Sequence, residues 1–294
     1  MDVSVVIVSF NSRDDLRSCL RSILNHTQGV EYEVIVVDNA SGDGSPEMVE
    51  AEFPQVTLLR RADNAGFATA NNEGIRAARG EVILLLNPDA EFTGNVLPPM
   101  YHYLRANPTV GVLGPKLLDE DGSLQLSCRR FPGLATALFN RYSLATRLFP
   151  RNPFSTRYLM TDFGHDRIAE VDWVSGACMM LPRQAFDLIG LLDEGYFVYI
   201  EDVDLCQRAH RAGHKVVYFP EVAVLHRIAR SSSTLPIRSI IERHRSMWHY
   251  YKKYGGGNLL LDAATAAGIG LRCALLLAIS GVKRARARGT TSIV

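Results

Sequence analysis

"SVVIVSFNSRDDLRSCLRSILNHTQGVEYEVIVVD", residues 4–38, changes its period twice. Residues 4–10 are a β-branched, apolar run, 13–26 set Leu16, Leu20, Ile23 and Leu24 on one helical face, and 32–38 return to an apolar run that ends in a carboxylate. Strand, helix and strand in this spacing form one β-α-β unit. The pattern continues with a helix over about 45–52, a strand "VTLLR" (56–60), a helix over about 68–78 and a strand "EVILLL" (81–86). Right-handed crossovers of this kind predict an α/β fold, a Rossmann-like, mostly parallel central sheet flanked by helices.

In such a sheet ligands bind beyond the carboxyl ends of the strands. Polar residues collect there: Ser9-Phe10-Asn11 after the first strand, "DNASGDGS" (38–45) after the second, "DNAGFATANN" (63–72) after the third and Asn87-Pro88-Asp89 after the fourth. Four polar loops are therefore expected on one rim. "SFNSRDD" after the first strand is neither G-x-x-x-x-G-K-[ST] nor G-x-G-x-x-G, which argues against P-loop and dinucleotide chemistry. It also lacks the Gly-rich basic loop of a sugar nucleotidyltransferase.

The break in "LLLNPDAEF" (84–92) is chemically informative. Pro88 cannot donate a ladder hydrogen bond and biases Asn87 towards an extended conformation, so the strand stops and Asp89 projects at the rim. A carboxylate there can hold Mg²⁺ or Mn²⁺ together with diphosphate oxygens and water; an ordinary turn aspartate is the alternative. Asp38 can accept from a nucleobase N–H, or act as a turn or cap residue.

Past residue 100 a helix over about 94–106 and the segment 110–118 lead to "DEDGSLQLSCRRF" (119–131), where Asp121-Gly122 reads as a hairpin turn. Residues 133–168 show no clear period and read as an insertion or acceptor loop. "VDWVSGACMMLPRQAF" (171–186) reads as an apolar strand containing Gly176. Glu201, Asp202 and Asp204 then open a helix, where the macrodipole favours acids and Asp204 can pair with Arg208. Three acids directly after Tyr196, Phe197 and Tyr199 also suit a general base acting on a sugar hydroxyl. His226 closes the strand "VAVLH" (222–226) as a candidate metal ligand or a structural histidine; His210 and His214 read as surface residues.

The whole-chain numbers agree with a folded protein: 294 residues, 47% hydrophobic, 21% charged, net charge +1, with no global signal for nucleic acid. Five dispersed cysteines without a C-x-x-C pair favour a reducing, cytoplasmic setting. The opening "MDVSVVIVSF" reads as a first strand and not as a signal peptide. Residues 259–282 are rich in Leu, Ala and Ile but are interrupted by Asp262 and Arg272, so neither half reaches the roughly 18–20 residues needed to span a bilayer. Followed by the basic "KRARAR" (283–288), the segment suits a helix lying on an anionic membrane surface, or one packed on the catalytic domain with a basic tail.

Together these stretches resemble the inverting glycosyltransferases of family 2. "VSVVIVSFNS" (3–12), "EVIVVDNASGDGS" (33–45), "NAGFATANNEGI" (64–75), "LLLNPDAE" (84–91), "WVSGACMMLPRQAF" (173–186), "EDVDLCQRAHRAGHKV" (201–216) and "LHRIARSSS" (225–233) occur in family order, in a flavour similar to rhamnosyltransferase-like enzymes of cell-surface polysaccharide synthesis. The resemblance implies a GT-A fold over residues 1–233, with a nucleotide-sugar-binding half (1–118) and an acceptor-binding half (119–233), followed by a C-terminal helical extension (234–294). It implies that Ser9, Asn11 and Asp38 hold the nucleoside and that Asn64 and Asn71 line the donor site. Asn87-Pro88-Asp89 would be the DXD-like element, with Asp89 and His226 as metal ligands. Asp202 would be the catalytic base, and Trp173, Gly176 and Glu201 would border the acceptor.

The implied partners are a nucleotide-diphosphate sugar (dTDP-rhamnose favoured over a UDP-sugar), a divalent metal, Mg²⁺ or Mn²⁺, and a glycan or polyprenyl-linked acceptor. The implied location is peripheral, at the inner face of the cell membrane. Asn87 departs from the acidic first position of the motif and offers the metal less charge. A catalytically inactive sugar-nucleotide-binding scaffold is the competing class.

Overall fold

A computed structural model describes residues 1–132, 152–227 and 236–290. The first half follows the expected alternation: β1 (Val3–Ser9), α1 (Arg13–His26), β2 (Tyr32–Asp38), α2 (Ser45–Glu52), β3 (Thr57–Arg60), α3 (Phe67–Ala77) and β4 (Val82–Leu86). The second half contains β5 (Ala90–Phe92), α4 (Leu97–Ala106), β6 (Val110–Leu118), β7 (Leu124–Gln125), β8 (Cys128–Arg129), α5 (Pro153–Leu159), β9 (Ala169–Glu170), β10 (Trp173–Val174), β11 (Cys178–Pro182), α6 (Ala185–Ile189), α7 (Glu201–Arg211) and β12 (Lys215–His226). Two long helices follow, α8 (Pro236–Tyr254) and α9 (Leu259–Thr290).

The main sheet runs β3-β2-β1-β4-β11-β6-β12-β5, with β11 and β5 antiparallel to their neighbours and the other pairings parallel. Alternate residues of the central strands serve the two faces. Val5, Ile7, Val34, Val36, Leu84 and Leu86 pack with α1, α2 and α4, whereas Val6, Val8, Ile35, Val37, Ile83 and Leu85 pack with α3, α6 and α7. Burial on both faces is why these strands read as unbroken apolar runs. The chain has the GT-A architecture.

Three local expectations change. The stretch 171–186 is not one strand: β10 pairs with β8 in a separate small sheet, β11 enters the main sheet, and Gly176 lies in the turn between them. The helix expected from about 94 begins at Leu97, with proline in its first turn, where the absent N–H costs nothing. After Asn87-Pro88-Asp89 the chain re-enters the sheet at once as β5, which pairs with β12 so that Ala90 faces His226. The Asp121-Gly122 turn closes the β6–β7 hairpin, with Leu118 opposite Leu124 and Gly122 at φ +79°. Of the expected acceptor loop, 133–151 lie outside the described residues, as does most of "RIARSSS".

The apolar C-terminal segment is one continuous helix. Its two charges both face α8: Asp262 accepts from Tyr251 Oη (2.9 Å) and Lys252 Nζ (2.7 Å), and Arg272 Nη1 lies 3.3 Å from His244 Nε2. The helices therefore pair antiparallel, while α9 leaves Leu259, Leu260, Leu271, Leu275 and Ile279 exposed. Because helix geometry keeps both charges on the paired face, they do not divide the apolar surface as the linear sequence implies. By length and composition Leu259–Gly281 is apolar enough to cross a membrane.

Candidate active site

The loops at the carboxyl ends of β1, β2 and β3 are laced to one another. Asn11, at φ +49°, donates its backbone N–H to Ser41 Oγ (2.9 Å) and accepts from Gly42 N (2.8 Å). Asn39 Nδ2 donates to Asn64 Oδ1 (3.0 Å), while Asn39 Oδ1 accepts from Ala65 N (3.1 Å). Asp38 is buried, with one carboxylate oxygen accepting from Ser41 N (2.9 Å) and the other without a hydrogen-bond partner. The Ser9 hydroxyl is fully buried against Ser12 Oγ (3.0 Å), and the Asn71 amide donates to Phe67 O (2.9 Å) within α3. Of this set, Asp38 retains a free acceptor in the cleft, whereas Ser9 and Asn71 serve the local frame.

The antiparallel pairing of β5 with β12 brings together two residues 137 positions apart, Asp89 and His226. Asp89 is 4% exposed, and its Oδ1, which makes no hydrogen bond, lies 3.4 Å from His226 Nε2. The ring orientation is dictated from behind. Gln125 Nε2 donates to Asp119 Oδ1 (2.8 Å) and to the His226 carbonyl (3.1 Å), so Gln125 Oε1 must be the atom 2.7 Å from His226 Nδ1. Nδ1 therefore donates, and Nε2 is turned to the Asp89 side, with Asn87 Nδ2 at 3.3 Å. A carboxylate oxygen and an imidazole nitrogen that face one another are ligand types a divalent cation takes, and the histidine–amide contact behind them is the support such ligands use. Among the described residues no third His, Cys, Asp or Glu joins the pair.

The third cluster surrounds the start of α7. Tyr199 and Ile200 have φ of +68° and +74°, a left-handed conformation that is strained for a tyrosine and a β-branched residue, and the strain delivers Glu201 and Asp202 to the helix start. Asp202 Oδ2 accepts from Gly176 N (3.0 Å) and Oδ1 from Val203 N (2.8 Å). Gly176 packs closely on the carboxylate: a Cβ there would lie 3.2 Å from Asp202 Cβ, so that side chain would have to give by tenths of an ångström. Burial raises the Asp202 pKa above the ordinary carboxylate value, and raises that of Glu201 well above it, with the neighbouring Asp202 charge adding to the shift. Glu201 Oε2 has no hydrogen-bond partner, whereas Asp202 has two amide donors, so Asp202 is the member of the pair that ionises.

Asp204 is different. It is fully buried and accepts from Tyr196 Oη (3.3 Å), Tyr254 Oη (2.8 Å), Arg208 Nε (2.8 Å) and Lys253 Nζ (2.7 Å), so it is a structural tie. The metal-type pair and the base candidate meet through the sheet: Asn87 N donates to Ala177 O (2.9 Å), next to the Gly176 amide that holds Asp202. A half-buried carboxylate, a cation-type donor pair and the polar loops after the parallel strands are thus joined through neighbouring backbone.

Residues 4–163 match the profile described as glycosyl transferase family 2. The chain belongs to that family. It is 32% identical over 256 residues to the N-acetylglucosaminyl-diphospho-decaprenol L-rhamnosyltransferase of Mycobacterium tuberculosis, covering 83% of this chain and 82% of the relative. A low-salt glycan biosynthesis hexosyltransferase of Haloferax volcanii is 26% identical over 76% of this chain and 67% of its own length. Among solved structures, the mannosyltransferase of Pyrobaculum calidifontis with GDP-Man and Mn²⁺ superposes at a TM-score of 0.57, with 19% identity, over 98% of this chain and 75% of that one. GalNAc-T7 with UDP, GalNAc and Mn²⁺ also gives 0.57, at 20% identity, over 77% of this chain and 44% of the longer enzyme.

In this family 2 glycosyltransferase several supporting residues escape a motif reading. Gln125 orients His226, Asn39 latches two loops, and Asn72 ties α3 to the segment before α7 by donating to Leu192 O (2.8 Å) and Glu194 Oε1 (2.9 Å). The "DNA" and "NN" doublets hint at the last two, but nothing local singles out Gln125. Trp173 is buried, donating Nε1–H to Arg130 O (2.9 Å) with Arg129 over its ring. His210 is no free surface residue: its Nε2 faces the carbonyls of Val171 and Asp172, each at 3.1 Å. His214 is also only partly exposed, with a buried Nε2.

Proposed function

We propose that this glycosyltransferase moves L-rhamnose from dTDP-rhamnose to a hydroxyl of a glycan carried on a polyprenyl diphosphate, with inversion, at the cytoplasmic face of the membrane. The observation that carries the reading is the apposition of Asp89 Oδ1 and His226 Nε2 on the edge that also presents Asp202. The 32% identity to a rhamnosyltransferase acting on a diphospho-decaprenol acceptor favours this sugar and this class of acceptor. Intact base and cation candidates disfavour an inactive scaffold.

Asp89 and His226 would hold Mg²⁺ or Mn²⁺, which when bound neutralises charge on the leaving diphosphate. The loops around Asp38, Asn11 and Asn64 bind the nucleoside, with the free oxygen of Asp38 accepting from the base. Asp202 takes the acceptor hydroxyl proton onto its carboxylate. The hydroxyl oxygen forms its bond to the anomeric carbon from the face opposite the phosphate, and the bonding pair of the broken C–O bond leaves on the nucleoside diphosphate. A raised Asp202 pKa makes a stronger base, while the two amides keep it ionised and aimed.

The exposed leucines of α9 lie on the membrane, and its polar face rests on α8. That pairing with a charged, docked helix favours a surface helix over a spanning one. A screen of dTDP-, UDP- and GDP-sugars with Mn²⁺ or Mg²⁺ and a polyprenyl-diphospho-sugar acceptor tests the reading. Nucleoside diphosphate release dependent on dTDP-rhamnose is expected; release only from another donor refutes the sugar, and release from none refutes the activity.

A further inference from the structure

We propose that Arg243 and Arg272, supported by His244, grip the diphosphate of the lipid-linked acceptor and so hold its first sugar at Asp202. This inference rests on the lipid-linked reading above. Three cations around the α8–α9 hairpin have acids: Arg245 pairs with Glu242 (2.8 Å), Lys252 with Asp262 (2.7 Å), and Lys253 with Asp193 and Asp204 (2.7 Å each). Among the described residues no carboxylate pairs with Arg243 or Arg272. Arg243 lies over the Tyr199 ring at 4.1 Å. Arg272 is half-buried, its Nη1 set 3.3 Å from His244 Nε2 and 3.3 Å from Met247 Sδ.

His244 is aimed at Arg272 from behind. His244 Nδ1 is 2.6 Å from the Ile240 carbonyl, so it donates there and turns Nε2 to accept from Arg272. Burial, and then the nearby Arg243 charge, weaken the hold of Arg272 on its proton. An anion relieves that repulsion, and guanidinium groups match the oxygens of a diphosphate.

Position selects the anion. Tyr199, under Arg243, lies three residues before Asp202, and Ser246 Oγ donates to the Val198 carbonyl (2.9 Å), so α8 is tied to the segment that carries the base. On the other side, Leu271 and Leu275 flank Arg272 along α9 and are 75% and 59% exposed, ready for hydrocarbon. An amphiphile with a lipid tail, a diphosphate and then a sugar meets these features in that order. A second cationic residue, Arg238, sits over Phe197 at 4.1 Å and extends the positive rim.

The test uses the full chain in non-ionic detergent with EDTA, and calorimetric titration with farnesyl diphosphate, farnesol and phosphatidylglycerol mixed micelles. Farnesyl diphosphate is expected to bind, farnesol and phosphatidylglycerol not, and Arg243→Gln with Arg272→Gln to weaken farnesyl diphosphate by at least about 10-fold. Arg243→Lys should recover part of that loss, and dTDP affinity with Mn²⁺ should not move. Unchanged farnesyl diphosphate affinity overturns the proposal, as does equal binding of phosphatidylglycerol, which would make the cluster a headgroup anchor, or an equal loss for dTDP. Diphosphate binding that persists in a chain transferring no sugar to a polyprenyl acceptor would instead overturn the functional reading and leave the site standing.

Discussion

The rim proposed to bind the donor and the rim proposed to bind the acceptor are made in different ways. At the donor rim, loops after consecutive parallel strands hold one another through short polar side chains, Asn11 to Ser41 and Gly42, and Asn39 to Asn64 and Ala65. The acceptor rim is assembled from distant parts: the turn at Gly176, the strained Tyr199-Ile200 pair, the α7 start, and α8, whose Tyr254 and Lys253 reach Asp204. A rim built by local connectivity can be laced loop to loop. One built by tertiary contacts needs a buried tie, and Asp204 is that tie.

The largest test of this contrast is Asp202→Asn, which removes the base from the acceptor rim without touching the donor loops. We expect kcat to fall by about 10²–10⁴-fold with donor KM preserved. Because burial raises the Asp202 pKa and only the carboxylate accepts a proton, the acid limb of the wild-type pH–rate profile should lie above the free carboxylate value of about 3.9. A limb at or below that value breaks the assignment.

On the donor side, Asp89→Ala should lower kcat/KM for the donor by at least about 100-fold, the scale of losing charge stabilisation on the diphosphate. Gln125→Leu, which leaves both proposed metal ligands in place, should still raise the Mn²⁺ concentration for half-maximal activity by about 10–100-fold, through the lost orientation of His226. Equal activity with and without EDTA in both variants and wild type would remove the cation from this edge.

A smaller effect is expected from Gly176→Ala. The added Cβ, 3.2 Å from Asp202 Cβ, displaces the base by tenths of an ångström, and kcat should fall by about 10-fold with an unchanged melting temperature. If kcat holds while acceptor KM rises, Gly176 shapes the acceptor pocket and does not seat the base.

The smallest effect concerns stability. Burial raises the Glu201 pKa, so the folded chain holds that proton more tightly than the unfolded one; the stabilisation is full below the unfolded value of about 4.3 and is lost as pH rises through the folded pKa. Glu201→Gln removes this dependence. Relative to wild type, its Tm at pH 8 should gain about 2–4 °C over the difference at pH 4, the scale of 1 kcal/mol. A Tm difference independent of pH would show that Glu201 does not titrate against folding.

The sequence by itself determined the β-α-β frame, because strands buried on both faces must be apolar throughout and the helices between them must carry a single apolar face. It also marked Asp38, Asp89 and Asp202, since acids at the ends of apolar runs or at a helix start stand out against their surroundings. Tertiary structure alone decided three matters. Strand pairing between β5 and β12 set Asp89 against His226, and the pairing of β6 with β7 and β12 put Gln125 behind it, contacts between residues more than a hundred positions apart that no local pattern encodes. Burial and hydrogen bonding separated three neighbouring acids, leaving Asp202 aimed, Glu201 without a partner for one oxygen and Asp204 saturated. Helix pairing turned Asp262 and Arg272 inward, so a segment that looks broken in linear sequence presents a continuous apolar face. In each case spacing along the chain is a local quantity, whereas a site depends on which side chains the packed backbone brings within a few ångströms.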